Sequence, residues 1–388
     1  MRRKALVPRL EPFTSTIFAE MTALATRTGS VNLGQGFPDT DGPPSMLAAA
    51  QEAIGAGVNQ YPPGLGRPEL RSAIAEQRTR YGTEFDPDTE VLVTVGATEA
   101  IAAAMLALVQ PGDEVVMFEP YYDSYAASVA LAGATRRVVS LVEDPSGRFA
   151  VDLDALRAAI TPRTRAVLLN SPHNPTGTVF TRAELAGIAE LCVEHDLLAV
   201  TDEVYESLTY DGVEHIPLGT LPGMADRTVT ISSAGKMFNC TGWKIGWACG
   251  TAELVGAVKA AKQFLTFVGG APFQPAVAHA LRTEQAWVTA LRDELAGKRD
   301  RLAEGLAAAG FEVRPSAGTY FVCVDVRPLG FTDGAELCWQ LPERIGVAAV
   351  PVQGFTDHPE LWRHIVRFAF CKRDDVLDEA IARLHKLA

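Results

Sequence analysis

The chain has 388 residues, 47% of them hydrophobic, enough for two domains with a sizeable core. Its 47 acidic and 35 basic residues give a formal net charge of -12, which argues against the basic stripe that nucleic acid or an anionic membrane surface requires. The basic start MRRK is followed by no apolar run, no stretch reaches the length of a membrane span, and six scattered cysteines without C-x-x-C pairs suit reduced core thiols of a cytoplasmic protein.

In chain order, STIFAEMTALA (15–25) predicts a helix too short to stand alone. The apolar runs EVLVTV, DEVVMFE, ATRRVVSLV, RAVLLN, LLAVTDEV, TVTISS and GWACG then alternate with helical stretches such as ATEAIAAAMLALVQPGD, expected to end at Pro111-Gly112. Such alternation predicts an α/β fold with a largely parallel sheet covered on both faces. From about residue 275 the pattern becomes FEVRPSAGTYFVCVDV, two strands around a Ser-Ala-Gly turn, then HIVRFAF. A last helix carries Val376, Leu377, Ala380, Ile381 and Leu384 on one face. The expected division is an arm over 1–40, a large domain over 41–275 and a small α+β domain over 276–388, with the arm packing on the small domain.

Candidate chemistry gathers at the predicted strand ends, where open α/β sheets bind ligands. Lys236 lies among small residues in SSAGKMFNCTGWKIGWACG (232–250), whose GWKIGWACG part reads as a buried strand. A solvated loop lysine is the plain alternative, but burial or a neighbouring cation would lower its pKa and make it a covalent catalyst toward an aldehyde cofactor. VTVGATEA (93–100) reads as strand, turn and helix start, with Ala97 and Thr98 at an anion-binding N-terminus or Thr98 acting simply as a cap. In EPYYDSY, Tyr122 is preferred over Tyr121 and Tyr125 to stack on a flat heterocycle. In NSPHNPTG, Asn174 offers an amide donor, while His173 lacks partners at metal-ligand spacing. Asp202 ends a very apolar strand and needs a cation or donors, as a protonated pyridine would supply, unless it merely caps a helix. Tyr205 would reach the same side, and Ser233 with Lys244 would suit a phosphate.

Together these segments resemble the class I and II aminotransferases, pyridoxal-phosphate enzymes of fold type I, along essentially the whole chain. SAGKMFNCTGWKIGW resembles the family's cofactor-lysine motif, and NSPHNPTG with TDEVYE completes the signature. The resemblance implies that Lys236 bonds the cofactor aldehyde and carries the proton between the substrate Cα and the cofactor. It implies that Asp202 keeps the pyridine nitrogen protonated, that Asn174 and Tyr205 bond the ring oxygen, and that Tyr122 stacks on the ring. Ala97, Thr98, Ser233 and Lys244 would hold the phosphate, joined by Tyr61 from the other subunit of a homodimer with shared active sites. Arg367 would bind the substrate α-carboxylate, with Gly36 close to it and Phe18 covering the pocket.

Within the family, NLGQGFPD and EPYYDSY look like the kynurenine and glutamine aminotransferase branch. VGGAPFQPAVA, SSAGKMFNCTGWKIGWACG and VRFAFCKRDD look like actinobacterial N-succinyldiaminopimelate aminotransferases of lysine biosynthesis, for which glutamate would be the donor. Gly269-Gly270 stands where kynurenine enzymes carry an aromatic and a histidine, which suggests a roomier pocket. Alternatives are a kynurenine-, glutamine- or methionine-type aminotransferase, a cysteine-conjugate β-lyase using the same residues, and a cofactor-binding regulator, which the acidic charge opposes.

Overall fold

The computed structural model describes residues 5–387, so the MRRK start lies outside the described residues. Helix α1 (Ile17–Thr28) is capped by the Thr16 hydroxyl, which accepts from the Ala19 N–H, and closes at Gly29 in the left-handed region. Its buried side, Met21, Leu24 and Ala25, packs on the C-terminal part of the chain, where Val31–Asn32 also pairs in parallel with Val347–Ala348. Helices α2 (Pro44–Gly55) and α3 (Pro68–Arg78) follow.

The main sheet has seven strands: β1 (Val91–Val95), β2 (Glu114–Glu119), β3 (Thr135–Ser140), β4 (Thr164–Asn170), β5 (Leu198–Asp202), β6 (Thr228–Ser233) and β7 (Ile245–Cys249). Their order is β1-β7-β6-β5-β4-β2-β3, parallel except that β7 runs against both neighbours. Alternate side chains serve opposite layers: Val115 and Met117 enter one apolar cluster, Val116 and Phe118 another. Helices α4 (Gly96–Leu108) and α5 (Asp123–Leu131) cover the first of these faces.

Two local expectations change. Helix α4 stops at Leu108, three residues before Pro111, with Val109 already extended; Pro111 disfavours helix only at Gln110, and the chain leaves the helix one residue earlier still. GWKIGWACG is not strand throughout: Thr241–Trp243 form a tight 3-10 turn and Lys244 turns at φ 55°, so β7 starts only at Ile245.

Helix α6 (Phe273–Thr283) packs on α2 and α3, and helix α7 (Gln285–Ala308) leads into the second domain. There β8 (Glu312–Val313), β9 (Phe321–Asp325), β10 (Val350–Pro351) and β11 (Ile365–Ala369) form a sheet of order β8-β9-β11-β10. Helices α8 (Gly334–Arg344) and α9 (Asp374–Leu384) bury Leu337, Leu341, Leu377, Ala380 and Leu384 against it.

Behind the end of β5 lies a buried ionic cluster. The Arg78 guanidinium pairs with Glu203 at 3.0 Å and with Glu206, while His215 Nε2 lies 3.0 Å from Glu203. Burial would raise the Glu203 carboxyl, but Arg78 and His215 outweigh it and hold it below the usual range. Arg78→Met would strand two buried carboxylates and should cost about 3–5 kcal/mol. Loss of the exposed Arg282–Glu76 pair through Arg282→Met should cost under about 1 kcal/mol. Urea unfolding of both variants checks this; equal midpoints would refute it.

Candidate active site

Strands β1, β2, β4, β5 and β6 end at one edge of the sheet, and the residues there enclose a cavity of about 350 Å³. Twelve of the thirteen residues singled out by sequence line it: Phe18 and Gly36 from the arm, Ala97 and Thr98 at the start of α4, and Tyr122 and Asn174 after β2 and β4. Asp202, Tyr205, Ser233, Lys236, Lys244 and Arg367 complete the set. Tyr61 does not join them; it is 82% exposed and rests edge-on against Phe267.

Lys236 sits in the four-residue helix Ala234–Met237 that follows β6 directly. Its Nζ donates to the Tyr320 hydroxyl at 2.7 Å and approaches the Gly36 carbonyl at 3.5 Å. Burial, with Arg367 and Lys244 nearby, lowers the amine to about 8. A buried amine that is partly neutral near physiological pH can act as a nucleophile or exchange a proton.

Asp202 is buried at the end of β5 and does not cap a helix. Its carboxylate accepts from the Tyr125 hydroxyl at 2.6 Å and the Val204 N–H at 3.3 Å, and burial pushes it up to about 6. A cation facing it would reverse that rise. Asn170 completes the floor: its amide donates to the Asp202 carbonyl at 2.8 Å, and its oxygen accepts from the Asn174 N–H at 2.7 Å. Burial raises the Tyr205 phenol and pushes Tyr122 up to about 12, so both are neutral donors.

At the opposite wall, Arg367 occupies the middle of β11, fully buried, facing Cys323 on one side and Val350 on the other. It donates to Asn174 Oδ1 at 2.8 Å and the Gly34 carbonyl at 2.7 Å, and lies 3.9 Å over the Phe321 ring. Its Nε has no hydrogen-bond partner among the described residues. Burial lowers this guanidinium, and a carboxylate would restore its balance.

The phosphate end is set by close approach. A Cβ on Gly246 would come within 2.5 Å of the Gly96 carbonyl carbon, and one on Gly96, at φ +73°, would lie 3.0 Å from Lys244 Nζ. Only glycine at both places lets β7 bring that cation to the N–H groups opening α4. An anion cradle, a buried acid suited to a pyridinium, an amine of lowered pKa and a carboxylate-ready arginine together fit pyridoxal phosphate.

Several residues went unnoticed in the sequence. Tyr125 holds Asp202 although Tyr122 was preferred, Asn170 braces the floor, and Tyr320 meets the lysine. The one-turn spacing of Tyr122 and Tyr125 and the leading Asn of NSPHNP were available signals; nothing local marked Tyr320. His173 is structural: Nδ1 meets Thr176 Oγ1 at 2.8 Å, and burial drives the ring down to about 3.

Known proteins carry the same architecture. A Mycobacterium tuberculosis protein named probable N-succinyldiaminopimelate aminotransferase is 63% identical over 98% of both chains. A solved N-succinyldiaminopimelate aminotransferase structure from that organism superposes at TM-score 0.97, with 64% identity over 99% of this chain and 100% of that one. The Escherichia coli methionine aminotransferase is 38% identical over 100% of both chains, and mouse kynurenine–oxoglutarate transaminase 3 is 37% identical over 96% of this chain and 88% of its own. The family described as aminotransferase class I and II matches residues 28–384, so the chain belongs to that family and is a pyridoxal-phosphate-dependent aminotransferase.

Proposed function

We propose that this enzyme moves an amino group from glutamate to N-succinyl-2-amino-6-oxopimelate, forming N-succinyldiaminopimelate. The observation that carries the substrate choice is 63% identity over 98% of both chains to the mycobacterial protein of that name, against 38% or less to the methionine and kynurenine enzymes compared. Lysine biosynthesis in the cytoplasm is the setting this substrate pair implies. Gly269-Gly270 does not line this chain's cavity; added Cβ atoms there would meet Val95 at 2.8 Å and Ile245 at 2.2 Å.

When bound, pyridoxal phosphate supplies an aldehyde that takes up the amino group and a ring that accepts electrons. In the proposed scheme the α-carboxylate binds Arg367, whose fork is already aimed by Asn174, Gly34 and the Phe321 ring. Lys236 Nζ removes and returns the proton at the substrate Cα, and its lowered pKa of about 8 allows both directions. Asp202, its carboxylate held in place by Tyr125, would pair with the ring nitrogen. Tyr205 and Asn174 would face the ring oxygen, Tyr122 would cover a ring face, and Ala97, Thr98, Ser233 and Lys244 would hold the phosphate. Phe18 and Gly36 close the substrate side and exclude water.

The exposed aromatic group Tyr61, Phe264 and Phe267 supports a homodimer in which Tyr61 serves the partner's phosphate site. Sedimentation should show twice the 41.6 kDa chain mass; a fully active particle of single-chain mass would refute the shared site.

Two substitutions separate chemistry from binding. Lys236→Ala should keep the fold and lose at least about 1000-fold in turnover, whereas Arg367→Lys should lose about 10- to 100-fold in kcat/KM for α-carboxylate substrates. Near-normal turnover in Lys236→Ala would remove the lysine from the mechanism. The substrate proposal is tested by absorbance of the purified enzyme during addition of amino donors and then 2-oxo acids. Glutamate should bleach the cofactor band and the succinylated oxo acid should restore it. Restoration by methionine or kynurenine oxo acids alone would move the enzyme to that branch, and release of ammonia and pyruvate would identify a β-lyase.

A further inference from the structure

Tyr320 was assigned no role in the sequence; it lies immediately before β9, and its ring is buried against Tyr205 and Phe321. Its hydroxyl donates its single proton to the Gly36 carbonyl. The oxygen lone pairs are thereby left to accept, and Lys236 Nζ stands 2.7 Å away. Gly36 is pressed onto the same pair of rings: a Cβ there would lie 2.4 Å from Phe321 Cζ. Two carbonyls of one arm loop are thus held, Gly34 by Arg367 and Gly36 by Tyr320.

We propose that Tyr320 is the positioning residue that receives the free Lys236 amine, holding it over the cavity and linking its placement to the Gly34–Gly36 loop beside the carboxylate-binding arginine. The proposal rests on Lys236 being the amine that engages the cofactor. Burial raises the phenol well above its ordinary value, so Tyr320 keeps its proton and presents lone pairs to the amine throughout the working range. An acceptor favours the ammonium form of Lys236, as does the Asp202 carboxylate, against burial, Arg367 and Lys244. Tyr320→Phe keeps the ring and removes only the oxygen.

The test is the pH dependence of Lys236 labelling in the full-length, cofactor-free protein, using a small amine-reactive reagent and mass spectrometry of the Lys236 peptide. The wild-type midpoint should lie near 8. Tyr320→Phe should shift it down by about one pH unit, the size expected for loss of one hydrogen bond to a charged group. Tyr210→Phe, which loses a bond to the Thr319 carbonyl and none to the lysine, should leave the midpoint unchanged. In the loaded enzyme Tyr320→Phe should lower kcat about tenfold with little change in KM. A midpoint near 8 in both wild type and Tyr320→Phe overturns the proposal. A wild-type midpoint near 10 overturns it together with the catalytic reading of Lys236. Should Tyr320→Phe fail to fold, a crystal structure of the cofactor-free wild type decides: a contact within 3.5 Å between Nζ and the Tyr320 oxygen supports the proposal and a longer one overturns it.

Discussion

Parallel strand pairing is the constraint on which the site depends. Asn170 pairs with Asp202 and Asp202 with Ile231, so β4 and β5 end level and β6 runs two residues further, to Ser233. The acid, the amide beneath it and the lysine after β6 therefore reach the same cavity although 66 residues separate Asn170 from Lys236 in the chain. The antiparallel β7 is the necessary exception. Running back beside β1, it delivers Lys244 to the helix start at Gly96, which a parallel strand would have sent to the far edge of the sheet. The second domain closes the cavity by presenting Phe321 and Arg367 from adjacent strands.

The same enclosure sets the electrostatics. Removing water favours the neutral form of every titratable group, so Asp202 rises to about 6 while Lys236 falls to about 8. The two shifts oppose each other's charge and leave both groups close to changing state. Arg367, whose guanidinium cannot give up its charge, is held by neutral oxygens and an aromatic face instead of a carboxylate. A protein carboxylate at that place would have been the stable structural solution. Leaving Arg367 with acceptors that carry no charge keeps a net positive site for a substrate anion.

The sheet was legible in the sequence because its strands are short, very apolar runs between helices, and buried parallel strands leave that trace. Asp202 and Arg367 were legible for the complementary reason: a charge in an otherwise apolar strand demands a partner. What escaped was set by contacts distant in sequence. Tyr320 meets Gly36 across 284 residues, and Tyr125 meets Asp202 across 77. No local period encodes such pairings. The left-handed turn at Lys244 was hidden inside a run whose apolar character suggested continuous strand; only the packing of Gly246 against Gly96 shows why the chain turns before it pairs.

The ionic cluster behind β5 then acquires a meaning beyond stability. Asp202 and Glu203 are consecutive, and alternation sends the first into the cavity and the second to the opposite side, toward Arg78 and His215. An uncompensated Glu203 carboxylate would push the Asp202 carboxyl still higher, since like charges disfavour each other's ionisation, and Glu203 already acts in that direction. The guanidinium of Arg78, 3.0 Å from Glu203, opposes that field. A salt bridge facing away from the cavity thus helps keep Asp202 ionisable, and the acid at the floor of the site depends on a helix, α3, that never touches the cavity.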